Sequence, residues 1–188
     1  MNQSLSVEQI MAWKGQINKD SSLAIVQDAQ GNRYGVKSKT EYVSGFFSQL
    51  ENGEVLLPAN QPLNGVRSIK GNQLIEGKYQ VVTDIRVSLD TTQALETTAA
   101  LITLPFASTA PVTFKNGEVK ISQGADLFAS TGVDVSTFKT DDFRAVLPFV
   151  IRGATDFAIN IKIAGANTAG HAYKVEYRCV EFLLVGKS

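Results

Sequence analysis

Alternating apolar and polar residues mark the last third of the chain, between residues 143 and 185. Large apolar residues occupy every second position of the segment 157–163, and Asn160 and Lys162 lie between them. The segment 173–179 alternates in the same way, with a charged residue at each intervening position. Because side chains on a β-strand point to opposite faces with a period of two, both segments predict strands with one buried and one solvated face.

The alternation changes after Cys179. Val180, Phe182 and Leu184 are all apolar, and Glu181 lies between the first two. Two explanations are consistent with this change: a bulge shifts the register of the strand, or both of its faces are covered near its end. The pattern of residues leaves both explanations open.

Period-two segments and turn signals also occur earlier in the chain. The segments 23–26 and 34–36 flank a polar turn and predict a hairpin. Alternate residues of the next predicted strand, 79–89, form one face: Val81, Thr83, Ile85, Val87 and Leu89. A further strand is predicted at 98–106, where Pro105 would end it.

Asn116 and Gly117 join two β-rich segments. Asn-Gly is the strongest short-range signal for a hairpin, because both residues tolerate positive φ. With this hairpin the chain has about eight predicted strands separated by turns, a spacing typical of a sandwich or barrel. We therefore predict an all-β fold, an antiparallel β-sandwich, with short helices only in the N-terminal half.

The helix signals lie near the N-terminus. Ser6 can cap a helix, Gln9 can complete a capping box, and Gly15 is the predicted end. Such a short helix must dock on something, either its own domain or a different surface. Three apolar residues on one face are predicted to contact a neighbouring subunit or a lipid surface: Val7, Ile10 and Met11. The segment 40–50 has helical spacing, but Gly45 weakens a helix prediction there.

Eighteen basic and eighteen acidic residues give the chain no formal net charge. Binding to nucleic acid phosphates relies on clustered Lys and Arg, and here the basic residues are scattered. We therefore expect no direct, sequence-specific binding of nucleic acid. Charged residues make up only 19% of the chain, and a surface with few charges suits a protein that packs against copies of itself.

The chain has one cysteine, Cys179, and one histidine, His171. Cys179 lies on the apolar face of its strand, which predicts a buried and unreactive thiol. A zinc site needs several Cys or His ligands, and one of each is too few. A catalytic triad needs a nucleophile and an orienting acid beside its base, and no nucleophile motif surrounds His171. No signal peptide and no transmembrane segment are predicted, so we expect synthesis in a reducing cytoplasm.

Four acidic residues in one polar connection are the candidates for a calcium site: Asp126, Asp134, Asp141 and Asp142. Their spacing lacks the order of an EF-hand, and solvated loop acids are the simpler interpretation. The glycine motifs that bind phosphate groups do not occur in the sequence. We therefore predict no catalytic residue and no cofactor, and we expect that the protein is not an enzyme.

Several segments in the second half of the chain form a recognisable series. RVSL at 86–89 leads to a Thr-rich turn, and FKNGEV at 114–119 forms the predicted hairpin. After a long loop, LPFVI at 147–151 enters a turn that leads to FAINIKI at 157–163 and then to the last strand. In this series, residues 79–188 resemble the jelly-roll capsid proteins of tailless icosahedral bacteriophages.

The resemblance implies a single jelly roll, which we assign to residues 71–188, with residues 1–70 packing on it as an N-terminal arm. It also implies a capsid subunit, made in the host cytoplasm and found in the virion. Its partners would be copies of itself, other virion proteins and a lipid layer. The alternative is a carbohydrate- or receptor-binding β-sandwich, but Trp13, the only tryptophan, lies in the predicted helix and not on a loop.

Overall fold

The computed structural model describes residues 5–20, 22–50, 53–90, 95–104, 106, 117–123, 130–134, 143–163 and 170–187. A short 3-10 helix, Phe47–Gln49, follows the second strand. The other helices and strands, in chain order, are α1 (Val7–Lys19), β1 (Ile25–Gln27), β2 (Asn32–Phe46), β3 (Lys78–Asp90), α2 (Thr98–Thr103), β4 (Gly117–Gln123), β5 (Ser130–Asp134), β6 (Arg144–Arg152), β7 (Phe157–Ile163) and β8 (Ala172–Lys187). Neither α-helix is long and apolar enough to cross a membrane.

The strands form two antiparallel sheets. One has five strands in the order β1-β2-β8-β3-β6, and the other has three in the order β5-β4-β7. A short segment extends the smaller sheet, because Glu54 forms a bridge with Asn160 and the Val55 N–H donates to the Ile159 carbonyl at 2.9 Å. If β1 is left out, β2 is the first strand in chain order, the segment 54–55 is the second, and β3 to β8 are the third to the eighth. In this numbering the larger sheet has the order 1-8-3-6 and the smaller sheet has the order 2-7-4-5. This is the strand order of a jelly roll, so the predicted all-β sandwich is confirmed.

The main core fills the space between the two sheets. Its largest side chains include Tyr177 of β8, Ile85 of β3 and Ile159 of β7, each with no exposed surface. Apolar surface removed from water stabilises a fold by about 25 cal/mol per Å², so this interior contributes the larger part of the stability.

A second core lies on the outer face of the five-stranded sheet, where α1 packs across β8. Trp13 of α1 contacts Tyr34 of β2 at 5.2 Å and Phe182 of β8 at 5.6 Å between ring centroids. The strand β8 has no extra residue near Cys179: its register against β2 shifts only between Arg33 and Tyr34, and the shift opposite Cys179 comes from an extra residue in β3, between Val82 and Asp84. The change in alternation after Cys179 therefore arises because both faces of the strand are covered.

Two helix predictions need correction. The Ser6 side chain accepts from the Gln9 N–H at 3.2 Å and caps α1 as predicted, but the helix continues through Gly15 to Lys19. A glycine costs a helix only about 1 kcal/mol, which docking on the sheet can offset. The segment 98–106 was predicted as a strand, but it contains α2, so helices are not confined to the N-terminal half. There Thr97 accepts from the Ala100 N–H and caps the helix.

Two other predicted segments differ in detail from the structure. β2 continues to Phe46, so the segment 40–50 is strand for most of its length. In β3 a register shift between Val82 and Asp84 separates two parts of the strand. Val81 therefore packs in the core beneath α1, while Ile85, Val87 and Leu89, which were predicted to share its face, pack in the main core.

The N-terminal third of the chain contributes directly to the sheet. β2 lies between β1 and β8 and pairs with β8 from Asn32 to Phe46. The division of the chain at residue 70 remains a prediction. The Asn116 turn lies outside the described residues, and β4 begins at Gly117.

Candidate functional site

A polar cluster lies at one end of the sandwich interior, on the inner face of the five-stranded sheet. The Gln80 side-chain amide donates to Glu41 Oε1 at 3.1 Å and to Glu181 Oε2 at 3.0 Å. The Tyr177 hydroxyl donates to Gln80 Oε1 at 2.9 Å. All four residues are buried. Because a buried polar group is costly unless it is hydrogen-bonded, these contacts hold both carboxylates in fixed positions.

Two lysines balance the charge of the carboxylates. Lys39 Nζ lies 2.6 Å from Glu41 Oε1, and Lys78 Nζ lies 2.9 Å from Glu181 Oε2. Burial raises the pKa of the Glu181 carboxyl. Hydrogen bonds from Lys78 and Gln80 and the charges of both lysines lower the pKa by more than burial raises it, so it lies below its ordinary value. Burial lowers the pKa of Lys39, but Glu41 more than offsets this, so the pKa is raised. Glu181 and Lys39 are therefore charged at neutral pH.

The sequence did not predict this cluster, although one signal was present. Glu41, Gln80 and Glu181 occupy positions of β2, β3 and β8 that share a face with apolar core residues. A carboxyl that acts as a general acid has a raised pKa, whereas that of Glu181 is lowered. The geometry is therefore that of structural ion pairs.

Cys179 lies between Tyr177 and Glu181 on the inner face of β8, two residues from each. Its side chain is 2% exposed. Burial is the main reason that the pKa of the thiol is raised to about 12, and the charges of Glu41 and Glu181 raise it further. The predicted burial of Cys179 is confirmed, and almost no reactive thiolate forms at neutral pH.

The predicted interface residues of α1 lie partly inside the protein. Ile10 is fully buried and Met11 packs against the second core, while Val7 is 38% exposed. The apolar face of α1 therefore docks mainly on the chain's own sheet. Contact of α1 with a neighbouring subunit remains a prediction, for which Val7 and part of Met11 supply the accessible surface.

The calcium site remains a prediction, because only one of its four residues is among those that the structure describes. Asp134 ends β5, whereas Asp126, Asp141 and Asp142 lie outside the described residues. Within the described ranges, no group of three or more His, Cys, Asp or Glu residues is arranged to hold a metal ion. His171 is half-buried before β8, and its backbone carbonyl accepts from the Phe47 N–H at 3.0 Å.

The edge strand β6 is exposed near its middle and covered at its C-terminal end. Near its middle, Leu147 is 83% exposed beside Pro148, which has no N–H to offer a further strand. At its end, the Gln123 side chain accepts from the Arg152 N–H and donates to the Arg152 carbonyl, both at 2.8 Å. This amide takes the place of a neighbouring strand at Arg152, so the apolar exposed part of β6 is the part around Leu147.

Exposed large apolar side chains lie mostly outside the strand centres: Val7, Ile25, Leu63, Ile75, Leu95, Ile102, Leu147, Leu184 and Val185. Two of them, Ile25 of β1 and Val185 of β8, lie on either side of Gly35 of β2. Ile25 pairs with Gly35, and a Cβ added at Gly35 would lie 3.3 Å from Val185. Single exposed apolar residues are common, but grouped ones mark surfaces that contact other molecules.

The chain has little similarity to known proteins. No protein-family model matches the chain, and no curated protein matches it. A chain in the cryoEM structure of Mud Crab Dicistrovirus matches with 10% identity and a TM-score of 0.28, over 81% of this chain and 71% of that chain. A TM-score of 0.28 carries no argument about fold or function.

Proposed function

We propose that the protein is a virion structural protein, a capsid subunit that assembles with copies of itself into an icosahedral shell. The jelly-roll strand order of the two sheets carries this proposal. Viral capsid domains, lectin domains and cupins are the main groups of proteins built on this order. Because a fold alone does not imply a function, the surface of the protein must support one of them.

Two properties of the protein favour the capsid over the lectin. Its formal net charge is zero, which removes the repulsion that keeps copies of a protein apart. Its only tryptophan, Trp13, is 6% exposed between two aromatic rings of the second core, so it cannot stack on a sugar. In this proposal the protein works through contacts between subunits and not through catalysis.

The finer features of the proposal rest on the resemblance of residues 79–188. These features are a tailless icosahedral bacteriophage as the source of the virion, other virion proteins as partners, and a lipid layer beside the shell. Val7, exposed on α1, is the described residue that we assign to contact with a neighbour or with lipid.

The proposal is tested by native mass spectrometry and electron microscopy of the purified protein over a range of concentrations. We expect closed rings or shells whose population grows with protein concentration, as symmetric assembly requires. Monomers alone, at every concentration, would refute the proposal and favour the binding-module alternative.

A pair of variants tests whether the exposed part of β6 takes part in assembly. Leu147→Lys places a charge at an apolar position that is 83% exposed, and burial of a leucine side chain is worth about 1.5–3 kcal/mol. We therefore expect assembly to need about 10 to 100 times more protein. Gln30→Lys adds the same charge at an exposed position of the turn between β1 and β2, away from β6 and outside α1, and should leave assembly unchanged.

A further inference from the structure

A cavity of about 180 Å³ lies beside the end of β2. Its lining includes Gly45, Glu54, Arg67, Thr98, Leu101 and Tyr173. At about 30 Å³ for each water molecule in the liquid, the cavity has room for about six waters or for a small organic molecule.

Strand pairing brings Arg67 and Tyr173 to this cavity from opposite sides of β2. Arg67 pairs with Val43, and Tyr173 pairs with Gly45. Val43 and Gly45 are two residues apart, so both pairs lie on the same face of the sheet. Arg67 and Tyr173 therefore flank β2 on its inner face. Two strand spacings of about 4.8 Å and two residues of about 3.3 Å along β2 place their Cα atoms about 12 Å apart, a distance that two long side chains can span.

Gly45 makes space for the tyrosine ring. A Cβ added at this position would lie 2.8 Å from Tyr173 Cζ, and closer still to the hydroxyl oxygen. Tyr173 also packs edge-on against Phe47, with ring centroids 5.1 Å apart. The ring is therefore fixed over the glycine, and its hydroxyl lies at the cavity.

The Tyr173 hydroxyl and the Arg67 guanidinium both have hydrogen-bonding capacity to spare. Tyr173 is 4% exposed, and its hydroxyl has no hydrogen-bond partner among the residues that the structure describes. The Arg67 Nε donates to the Gln61 carbonyl at 2.6 Å, but within the same residues the guanidinium forms no ion pair. Burial raises the pKa of Tyr173 and the nearby charge of Arg67 lowers it, with burial dominant, so the hydroxyl keeps its proton and can donate.

We propose that this cavity binds a small monocarboxylate, which accepts hydrogen bonds from the Tyr173 hydroxyl and the Arg67 guanidinium. A carboxylate offers two oxygens to these donors, and hydrogen bonds to a charged acceptor are stronger than those to a neutral one. Glu54 is exposed on the same lining, and its carboxylate opposes a phosphate dianion about twice as strongly as a monoanion. This site does not depend on the proposed capsid function.

Equilibrium dialysis with radiolabelled acetate tests the proposal on single subunits and on assemblies alike. We expect saturable binding of one acetate per chain at constant ionic strength. Unlabelled acetate should compete, while acetamide, which has the same shape and no charge, and sodium chloride should not. Phosphate should compete less well than acetate.

Matched variants locate the site. Arg67→Gln and Tyr173→Phe should each weaken acetate binding at least tenfold, and Tyr173→Phe keeps the ring contact with Phe47, so it should remain folded. Lys70→Gln removes an exposed charge three residues from Arg67 in the sequence, and Tyr79→Phe removes a hydroxyl beneath α1. Neither residue lines the cavity, so both variants should bind acetate as the parent protein does.

Three results would overturn the proposal. The first is no saturable acetate binding, which would mean that the cavity holds only water. The second is equal competition by acetamide, and the third is equal weakening in Arg67→Gln and Lys70→Gln. None of these results bears on whether the subunits assemble.

Discussion

Replacing Trp13 with alanine tests how α1 is held. Trp13 lies against Tyr34 and Phe182, and its ring belongs to the core on the outer face of the five-stranded sheet. If α1 docks on its own sheet, the substitution removes the largest side chain of that core. If α1 instead belonged to a neighbouring subunit, an isolated subunit would lose little.

The expected loss follows from the burial of the ring. A tryptophan that is 6% exposed buries about 150–250 Å², which at about 25 cal/mol per Å² is worth about 4–6 kcal/mol as an upper bound. Substitutions of buried aromatic residues by alanine cost about 3–5 kcal/mol. We expect a loss of about 3–5 kcal/mol, a large part of the roughly 5–15 kcal/mol that stabilises a typical domain.

Urea unfolding followed by circular dichroism measures this loss without the tryptophan signal. Leu147→Ala is the control, because Leu147 is 83% exposed and its truncation should change the free energy of unfolding by less than about 0.5 kcal/mol. A loss of less than about 1 kcal/mol for Trp13→Ala would refute the docking of α1 on its own sheet. A loss that grew with protein concentration would assign the helix to a neighbouring subunit.

Three further predictions follow from individual residues. The pKa of Glu181 is lowered in the folded protein, so its ion pairs stabilise the fold above about pH 4.5 and are lost as the pH falls through the folded pKa. In a curve of the free energy of unfolding from pH 7 to pH 3, Glu181→Gln should therefore reduce the fall at low pH. An unchanged curve would contradict the assignment. The Cys179 thiol should react with a thiol reagent at neutral pH only after unfolding, and Cys179→Ala should cost about 1 kcal/mol in urea; fast labelling of the native protein would count against it. Gly15→Ala should stabilise the protein by about 0.5–1 kcal/mol, because a Cβ added there in α1 meets nothing within 4 Å. Gly45→Ala should destabilise it by about 1–3 kcal/mol, because the added Cβ meets the Tyr173 ring. Thermal melts in which Gly45→Ala is more stable than Gly15→Ala would contradict these surroundings of the two glycines.

Local patterns in the sequence determined most of the strands. The alternation at 157–163 and 173–179 corresponds to β7 and β8, and the capping residue Ser6 begins α1 where predicted. These features depend on neighbours within a few residues, because side-chain direction and capping are local properties of the backbone. The segment 98–106 shows the limit of this reasoning, since its Thr and Ile residues favour a strand but a Thr97 cap starts α2.

The tertiary structure alone decided what covers each face and which distant residues meet. Burial of both faces near Phe182 depends on α1, which is far away in the chain. Gln80 joins Glu41 to Glu181 across three strands, and Gly45 admits the ring of Tyr173 only because β2 pairs with β8 in one register. A spacing rule relates residues that are near in sequence, whereas the register between strands far apart in the chain is set by the packing of the whole core.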